Sequence, residues 1–229
     1  MQTILVTNFK GGSGKSTTAL NLAGCLSSRG FNVALADLDL EQGTLRDWAA
    51  IKDQPPVDVY TVEPAKIFKF LSSVKDEYDY VVMDSPPRSN AETDRILAAS
   101  QMALVPLNPS MADFNATKHK LDEIKKRVDL NIAKHGENNA MPRTALVLSQ
   151  VRKGEAVNRR IREAIASDPG VIYPLLSTEI SRYQVYRYVM ESGETVHSQE
   201  RYTPSGHKGA VNQLESMTDE VLEVLNGGH

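Results

Sequence analysis

The sequence predicts a doubly wound α/β fold, a mostly parallel sheet flanked by helices. Three observations carry this expectation. Short runs that are apolar at every position recur along the chain, segments with helical spacing of apolar residues lie between them, and a glycine-rich turn joins the first run to the first helix. A strand without inside/outside alternation is buried on both faces, as in a parallel sheet between two helical layers. The alternation continues through 229 residues with no repeat, low-complexity segment or Gly/Ser linker, so one domain spanning 1–229 is expected.

In chain order, Ile4-Leu5-Val6 is the first strand, and residues 15–28 follow as a helix with Ala19, Leu22, Ala23 and Leu26 on one stripe. Val33 to Ala36, Val81 to Met83, Ala103 to Val105 and Ala145 to Leu148 are the further strands. Helical stripes recur in 113–128 (Thr117, Leu121, Ile124, Val128) and in 155–167 (Val157, Ile161, Ile165). Gln213 to Leu225 forms a terminal helix with Leu214, Met217, Val221 and Leu225 on its apolar side. Segment 131–143, carrying Asn, Gly and Pro, reads as a surface loop.

Composition excludes several classes. A hydrophobic fraction of 41% is too high for a disordered chain, and no apolar run approaches the ~18–20 residues of a membrane span. Met1-Gln2-Thr3 lacks the basic flank of a secretory signal. Cys25 is the only cysteine, which rules out an intrachain disulfide framework and suggests a reducing cytoplasm. It reads as a small core filler, and Trp48 as packing. The five histidines are scattered, with His197 and His207 lacking ligand-like spacing, so no metal site apart from one at a nucleotide is expected. A net charge of -3 argues against a uniformly basic DNA coater.

The strongest signal is Phe9-Lys10-Gly11-Gly12-Ser13-Gly14-Lys15-Ser16-Thr17 after the first strand. Glycines let the backbone curl until several N–H groups converge on one anion, and the helix that starts there adds its positive end. Lys15 can reach β- and γ-phosphates, and Ser16 can offer a hydroxyl to Mg2+. The strict pattern G-x-x-x-x-G-K-S/T is not met, because Phe9 occupies its first glycine. The segment reads as a nucleotide site. Asp84 ends an apolar strand, where a carboxylate can hold the shell of Mg2+ through water. Asp37 and Asp39 alternate at the end of another strand, so both can face the phosphates. One would organise Lys15 or the metal and the other the attacking water, with capping of the next helix as the alternative for one of them.

These residues resemble the ParA/MinD family of P-loop ATPases, whose deviant Walker A motif reads K-G-G-x-G-K-S/T and here is Lys10-Gly11-Gly12-Ser13-Gly14-Lys15-Ser16. Asp37-Leu38-Asp39 is similar to the family's D-x-D element, and Tyr80 to Asp84 to its Walker B strand. Val105 to Ser110 with Asp113-Phe114, and Gln184-Val185-Tyr186 with Ser192-Gly193-Glu194, resemble the short, ParF-like ParA proteins. The resemblance implies ATP and Mg2+ as cofactors, with Gly11 to Thr17 binding the nucleotide. It implies a homodimer formed on ATP, with Lys10 reaching the partner's nucleotide, Asp39 positioning the hydrolytic water, and Ser16, Asp37 and Asp84 supporting Mg2+. The sequence departs from the family's D-x-D-P-Q-G: Asp39 is followed by Leu40-Glu41-Gln42-Gly43, without the proline and with one residue more. Glu41 is a reserve candidate for water positioning.

Charge distribution separates the branches of that family. Residues 111–213 carry a net +4 and residues 214–229 a net -4. A membrane-cycling MinD relative would end in a basic amphipathic helix, whereas Glu215, Asp219, Glu220 and Glu223 line the polar side here, so no membrane partner is expected. The basic excess lies where ParA proteins bind DNA without sequence preference. Arg152, Lys153, Arg159, Arg160 and Arg162 cluster around one helix, followed by Arg182, Arg187, Arg201 and Lys208. Lys118 to Arg127, interleaved with acids, reads as a solvated face. The resemblance further implies a cargo-adaptor partner, ParB-like or other, and residence on the nucleoid. A MinD-like membrane ATPase and a P-loop small-molecule kinase or ligase are the alternatives. A nitrogenase-iron-protein-like reductase needs two cysteines per subunit and is excluded.

Overall fold

A computed structural model describes residues 1–87, 91–135, 141–199 and 205–227, with the side chains of 91, 127, 128 and 130–135 excepted. The chain runs β1 (Gln2–Val6), α1 (Lys15–Ser28), β2 (Val33–Asp37), α2 (Thr44–Ala49), β3 (Asp58–Thr61), α3 (Ile67–Val74), β4 (Tyr80–Asp84), α4 (Ala91–Ala98), β5 (Met102–Leu107), α5 (Met111–His135), β6 (Arg143–Val151), α6 (Ala156–Ser167), β7 (Leu175–Ser181), α7 (Gln184–Ser192) and α8 (His207–Leu225). The sheet has seven strands in the order β3-β2-β4-β1-β5-β6-β7, every pair parallel. The doubly wound fold is therefore as the apolar runs predict.

Alternate residues of each central strand feed opposite cores. Ile4 and Val6 pack with α1, α2, α7 and α8, while Leu5, between them, faces α3 and α4. On that second side, β5 and β6 also pack against α5 and α6 through Phe114, Leu121, Ile161 and Ile165. α1 is buried almost all round, from Thr18 to Leu26, because α8 covers the flank the sheet leaves open. Trp48 is buried, its indole N–H donating to the carbonyls of Val189 (3.0 Å) and Glu194 (3.2 Å), which ties α2 to the end of α7.

Two strands and part of a helix differ from expectation. β3 and β7 carry polar residues (Asp58, Ser177, Thr178, Glu179), since edge strands need no continuous apolar run. Helix α5 continues to His135, so the surface loop expected over 131–143 is helical at its start and enters β6 at Arg143; 136–140 lie outside the described residues. The apolar stripe of α8 is buried, as expected of a core-packed terminal helix. Its acidic side is a docking surface: Glu215 and Asp219 hold Arg29, and Glu220 accepts the backbone N–H of Ser177 and of Thr178. Among the described residues, no helix is long and apolar enough to cross a membrane.

Gly24 marks the tightest approach to α1. A Cβ there would stand 2.6 Å from the side chain of Thr195. Gly24→Ala is therefore expected to cost about 1–3 kcal/mol of stability by overpacking. Urea unfolding followed by the fluorescence of Trp48, the chain's one tryptophan, measures it.

Candidate nucleotide site

The C-terminal ends of β1, β4 and β2 form one row, with Val6 beside Asp84 and Asp84 beside Asp37. The glycine-rich turn leaves β1 directly above this row. Gly12 (φ 74°) and Gly14 (φ 89°) adopt left-handed backbone that other residues rarely enter. The turn's carbonyls are held from outside: Ser149 Oγ donates to Ser13 O (2.8 Å) and Gln150 Nε2 to Gly12 O (2.6 Å). Gln150 is itself at φ 56°, a strained backbone that aims its amide at the turn. The N–H groups of Gly11, Gly12, Ser13 and Gly14 find no acceptor among the described residues, the arrangement an anion completes.

Lys15 lies beneath the turn, buried, with Nζ donating to the carbonyl of Lys10 (3.3 Å). Burial lowers its pKa, against the opposing charges of Asp84 and Asp39. Asp84 is fully buried. Desolvation pushes its pKa up to about 7, with Asp37 and Asp39 adding to the rise and Ser16 and Lys15 opposing it. Its Oδ1 has no hydrogen-bond partner. An unpartnered buried carboxylate oxygen on Asp84, the Ser16 hydroxyl beside it and a second carboxylate nearby at Asp39 are hard oxygen donors, a set that fits Mg2+.

Asp37 is committed elsewhere. Its Oδ2 accepts the N–H of Leu45 (3.0 Å) and Arg46 (3.1 Å), and its Oδ1 that of Asp39 (3.0 Å). It caps the first turn of α2, the alternative reading named for one of the pair. The departure after Asp39 is absorbed by a turn. Gly43 N–H donates to Asp39 O (2.8 Å) and Gln42 N–H to Asp39 Oδ1 (3.2 Å), with Gly43 at φ 57° ending the loop. The added residue lengthens this turn and leaves Asp39 partly exposed at the site.

Lys10 stands at the mouth, its side chain 56% exposed, and its ammonium pairs with Asp113 in the first turn of α5. Asp113 is nearly dry, and its other oxygen accepts from Asn108 Nδ2 (3.1 Å). Beside the turn a cavity of about 560 Å3 is lined by Gly12, Gly14, Thr17, Tyr183, Tyr186 and Arg187. No local pattern in the sequence marks Ser149, Gln150 or Tyr183 as parts of this site, because each arrives from a distant strand end.

The basic residues divide. Pairing of β6 with β7 brings Arg152 and Lys153 beside Arg182, whose N–H donates to Val151 O (2.9 Å). The Lys153 ammonium lies 5.7 Å from the centre of the Tyr183 ring. Arg159 and Arg160 project from the outer side of α6, opposite buried Ile161 and Ile165. Arg187 pairs with Glu191 (2.9 Å) along α7. Arg162, half-buried, is engaged within the fold: it is held by Glu179 (2.5 Å) and by the carbonyls of Leu176 (3.1 Å) and Ser177 (2.9 Å), so it fastens α6 to β7. Arg201 lies outside the described residues.

A sheet of this order with a lysine-bearing turn above its central strand defines a P-loop fold. The chain matches the family described as CobQ/CobB/MinD/ParA nucleotide binding domain over residues 4–196, and it belongs to that family. It is 29% identical over 228 residues to the maintenance of carboxysome distribution protein A of Halothiobacillus neapolitanus, a match covering 98% of this chain and 94% of that protein. Apo McdA from Cyanthece superposes with a TM-score of 0.74 at 16% identity, over 97% of this chain and 99% of that one. Cobyrinic acid a,c-diamide synthase from Mycobacterium smegmatis, solved with an ATP analogue and magnesium, gives 0.69 at 15% identity, over 100% and 97%. At such identity the two structures establish the shared fold alone.

The Asp84 environment has a measurable signature in the nucleotide-free protein. A folded-state pKa of about 7 lies above the ~3.9 of an unfolded aspartate, so the native state keeps a proton that the unfolded state releases. This group's contribution to stability is therefore present at low pH and is lost as pH rises towards 7 and beyond. The stability advantage of Asp84→Asn over the natural protein is expected to grow by about 1–3 kcal/mol between pH 5 and pH 8, read from urea midpoints.

Proposed function

We propose that this chain is a ParA-type ATPase, one P-loop domain over its length, that dimerises with ATP and Mg2+, binds DNA without sequence preference and positions a cargo. The cargo is a plasmid, a chromosome or a protein assembly, and a partner protein carried by it stimulates slow hydrolysis. The observation that carries this reading is the pair of lysines at one turn. Lys15 is buried beneath the loop, where a phosphate-binding lysine serves its own subunit, whereas Lys10 is exposed at the mouth, paired with Asp113, where an exchange of partners would turn it to another. A kinase or ligase acting as a single subunit needs only the first.

The roles follow from placement. Gly11 to Thr17 supply backbone N–H groups and the helix end to the phosphates, and Lys15 neutralises their charge. Ser16 and Asp84 would hold Mg2+, with Asp39 near it. The ion would neutralise charge on the phosphate oxygens. Asp39, partly exposed and anchored by its own turn, orients the attacking water, while Asp37 keeps β2 and α2 in place for it. Lys10 neutralises phosphate charge across the dimer, which makes the nucleotide part of the interface. The cavity lined by Tyr183 and Tyr186 receives the base. Arg152, Lys153, Arg159, Arg160, Arg182 and Arg187 supply the DNA-facing charge, without Arg162. The full-length match to a protein named for carboxysome distribution supports the cargo-positioning branch.

Three measurements test this. DNA binding with ATP, ADP and no nucleotide across a salt series is expected to appear with ATP alone and to fall log-linearly with salt. The double change Arg159→Ala/Arg160→Ala is expected to lower the salt slope by about 1 for each phosphate contact removed, and Arg162→Ala to lower thermal stability instead. Binding that ignores ATP, or is flat with salt, overturns the DNA reading. Separately, Asp39→Ala is expected to bind ATP but to hydrolyse it about 100-fold or more slowly. Lys10→Ala, made together with Asp113→Asn so that no carboxylate is stranded, is expected to bind ATP yet remain monomeric in sedimentation. A dimer there overturns the sandwich.

A further inference from the structure

We propose that Cys25, His197 and Glu215 form a binding site for a divalent cation of the zinc class, separate from the nucleotide site. The Cys25 sulfur, a ring nitrogen of His197 and a carboxylate oxygen of Glu215 all lie within 4.8 Å of one another. Tetrahedral zinc holds such ligands about 3.5 Å apart, so an ion would draw the Cys25 sulfur inward and part His197 Nε2 from Glu215 Oε1, now 2.9 Å apart, by roughly half an ångström. The three residues come from α1, from the segment after α7 and from α8, elements whose remaining contacts here are mostly apolar. Cys25 is ten residues beyond Lys15 on α1, about 15 Å along its axis from the phosphate loop.

The surroundings prepare the donors. His197 is nearly buried, with Nε2 2.9 Å from Glu215 Oε1 and Nδ1 buried without a partner. Burial lowers its pKa and keeps the imidazole neutral, the form that ligates metals. Desolvation works to raise the pKa of Glu215, but the hydrogen bonds and charge of Arg29 hold it below the ordinary value, as a carboxylate. Arg29 grips the other oxygen of Glu215 and is itself paired with Asp219 (2.7 Å), an outer shell that orients a metal-binding carboxylate. Charge balances as well. A divalent ion with the Cys25 thiolate, Glu215, Arg29 and Asp219 sums to zero, whereas the metal-free cluster with a neutral thiol carries one negative charge. The ion enters by displacing the Cys25 thiol proton to water. Glu215, 38% exposed, leaves an entry path.

Cobalt titration of the full-length, nucleotide-free protein at pH 8 tests the site, because Cys25 is the one cysteine and any thiolate-to-cobalt band reports it. A near-ultraviolet charge-transfer band that saturates at one equivalent and is bleached by zinc is expected; no band at tenfold excess cobalt overturns the proposal. His197→Ala, with its fold verified by circular dichroism, is expected to weaken cobalt at least tenfold. Unchanged affinity in that folded variant overturns the role of His197. Should that variant not fold, Glu215→Gln takes its place, with the same tenfold weakening expected and unchanged affinity against it. Zinc, but not equimolar magnesium, is also expected to raise the melting temperature of the natural protein; equal effects count against the site.

Discussion

The site depends on the phosphate turn being held open from outside. Its carbonyls at Gly12 and Ser13 are taken by side chains from the end of β6, and this leaves the N–H edge facing inward. The support reaches far into the fold. β6 can present Ser149 and Gln150 there only because β5 sits between it and β1 in register, and because α5 and α6 cover its other face. A left-handed glutamine at 150 shows that the backbone accepts strain to aim that amide. The core on one side of the sheet thus determines the geometry of a loop above its central strand.

Beneath the loop the electrostatics are unbalanced without a ligand. Lys15 is one cation among three carboxylates, of which Asp84 is completely buried and has an oxygen that nothing satisfies. Asp37 escapes the imbalance because backbone N–H groups absorb its charge. The remaining negative excess is a standing attraction for a small hard cation, and the inward N–H groups are the matching attraction for an anion. A metal–polyphosphate complex satisfies both together, whereas either component alone satisfies half.

What could be read from sequence divides along physical lines. The central strands and the glycine turn announce themselves, because burial on both faces and the left-handed positions of Gly12 and Gly14 restrict composition locally. β3 and β7 do not, since an edge strand with Asp58 or Glu179 in it has no obligation to look apolar. Asp37 shows the limit for side chains: alternation placed it rightly beside Asp39, but only the path of α2 showed its oxygens to be occupied. Arg162 belongs to a basic cluster in sequence and to a half-buried joint between α6 and β7 in space. His197, without ligand-like spacing along the chain, meets Cys25 and Glu215 through the packing of α8 on α1. Spacing reports neighbours within one element; contacts between elements are decided by topology.

The pairing of Lys10 with Asp113 sets a threshold at the mouth of the loop. Asp113 is almost without solvent, and Asn108 is a weak substitute for an ammonium. Drawing Lys10 away leaves the nearly dry carboxylate of Asp113 without its cation. A weakly charged anion has too little to offer in exchange, and the lysine stays where it is. A polyanion that outbids the carboxylate leaves Asp113 to Asn108 alone. The phosphate loop and the first turn of α5 thus compete for one ammonium.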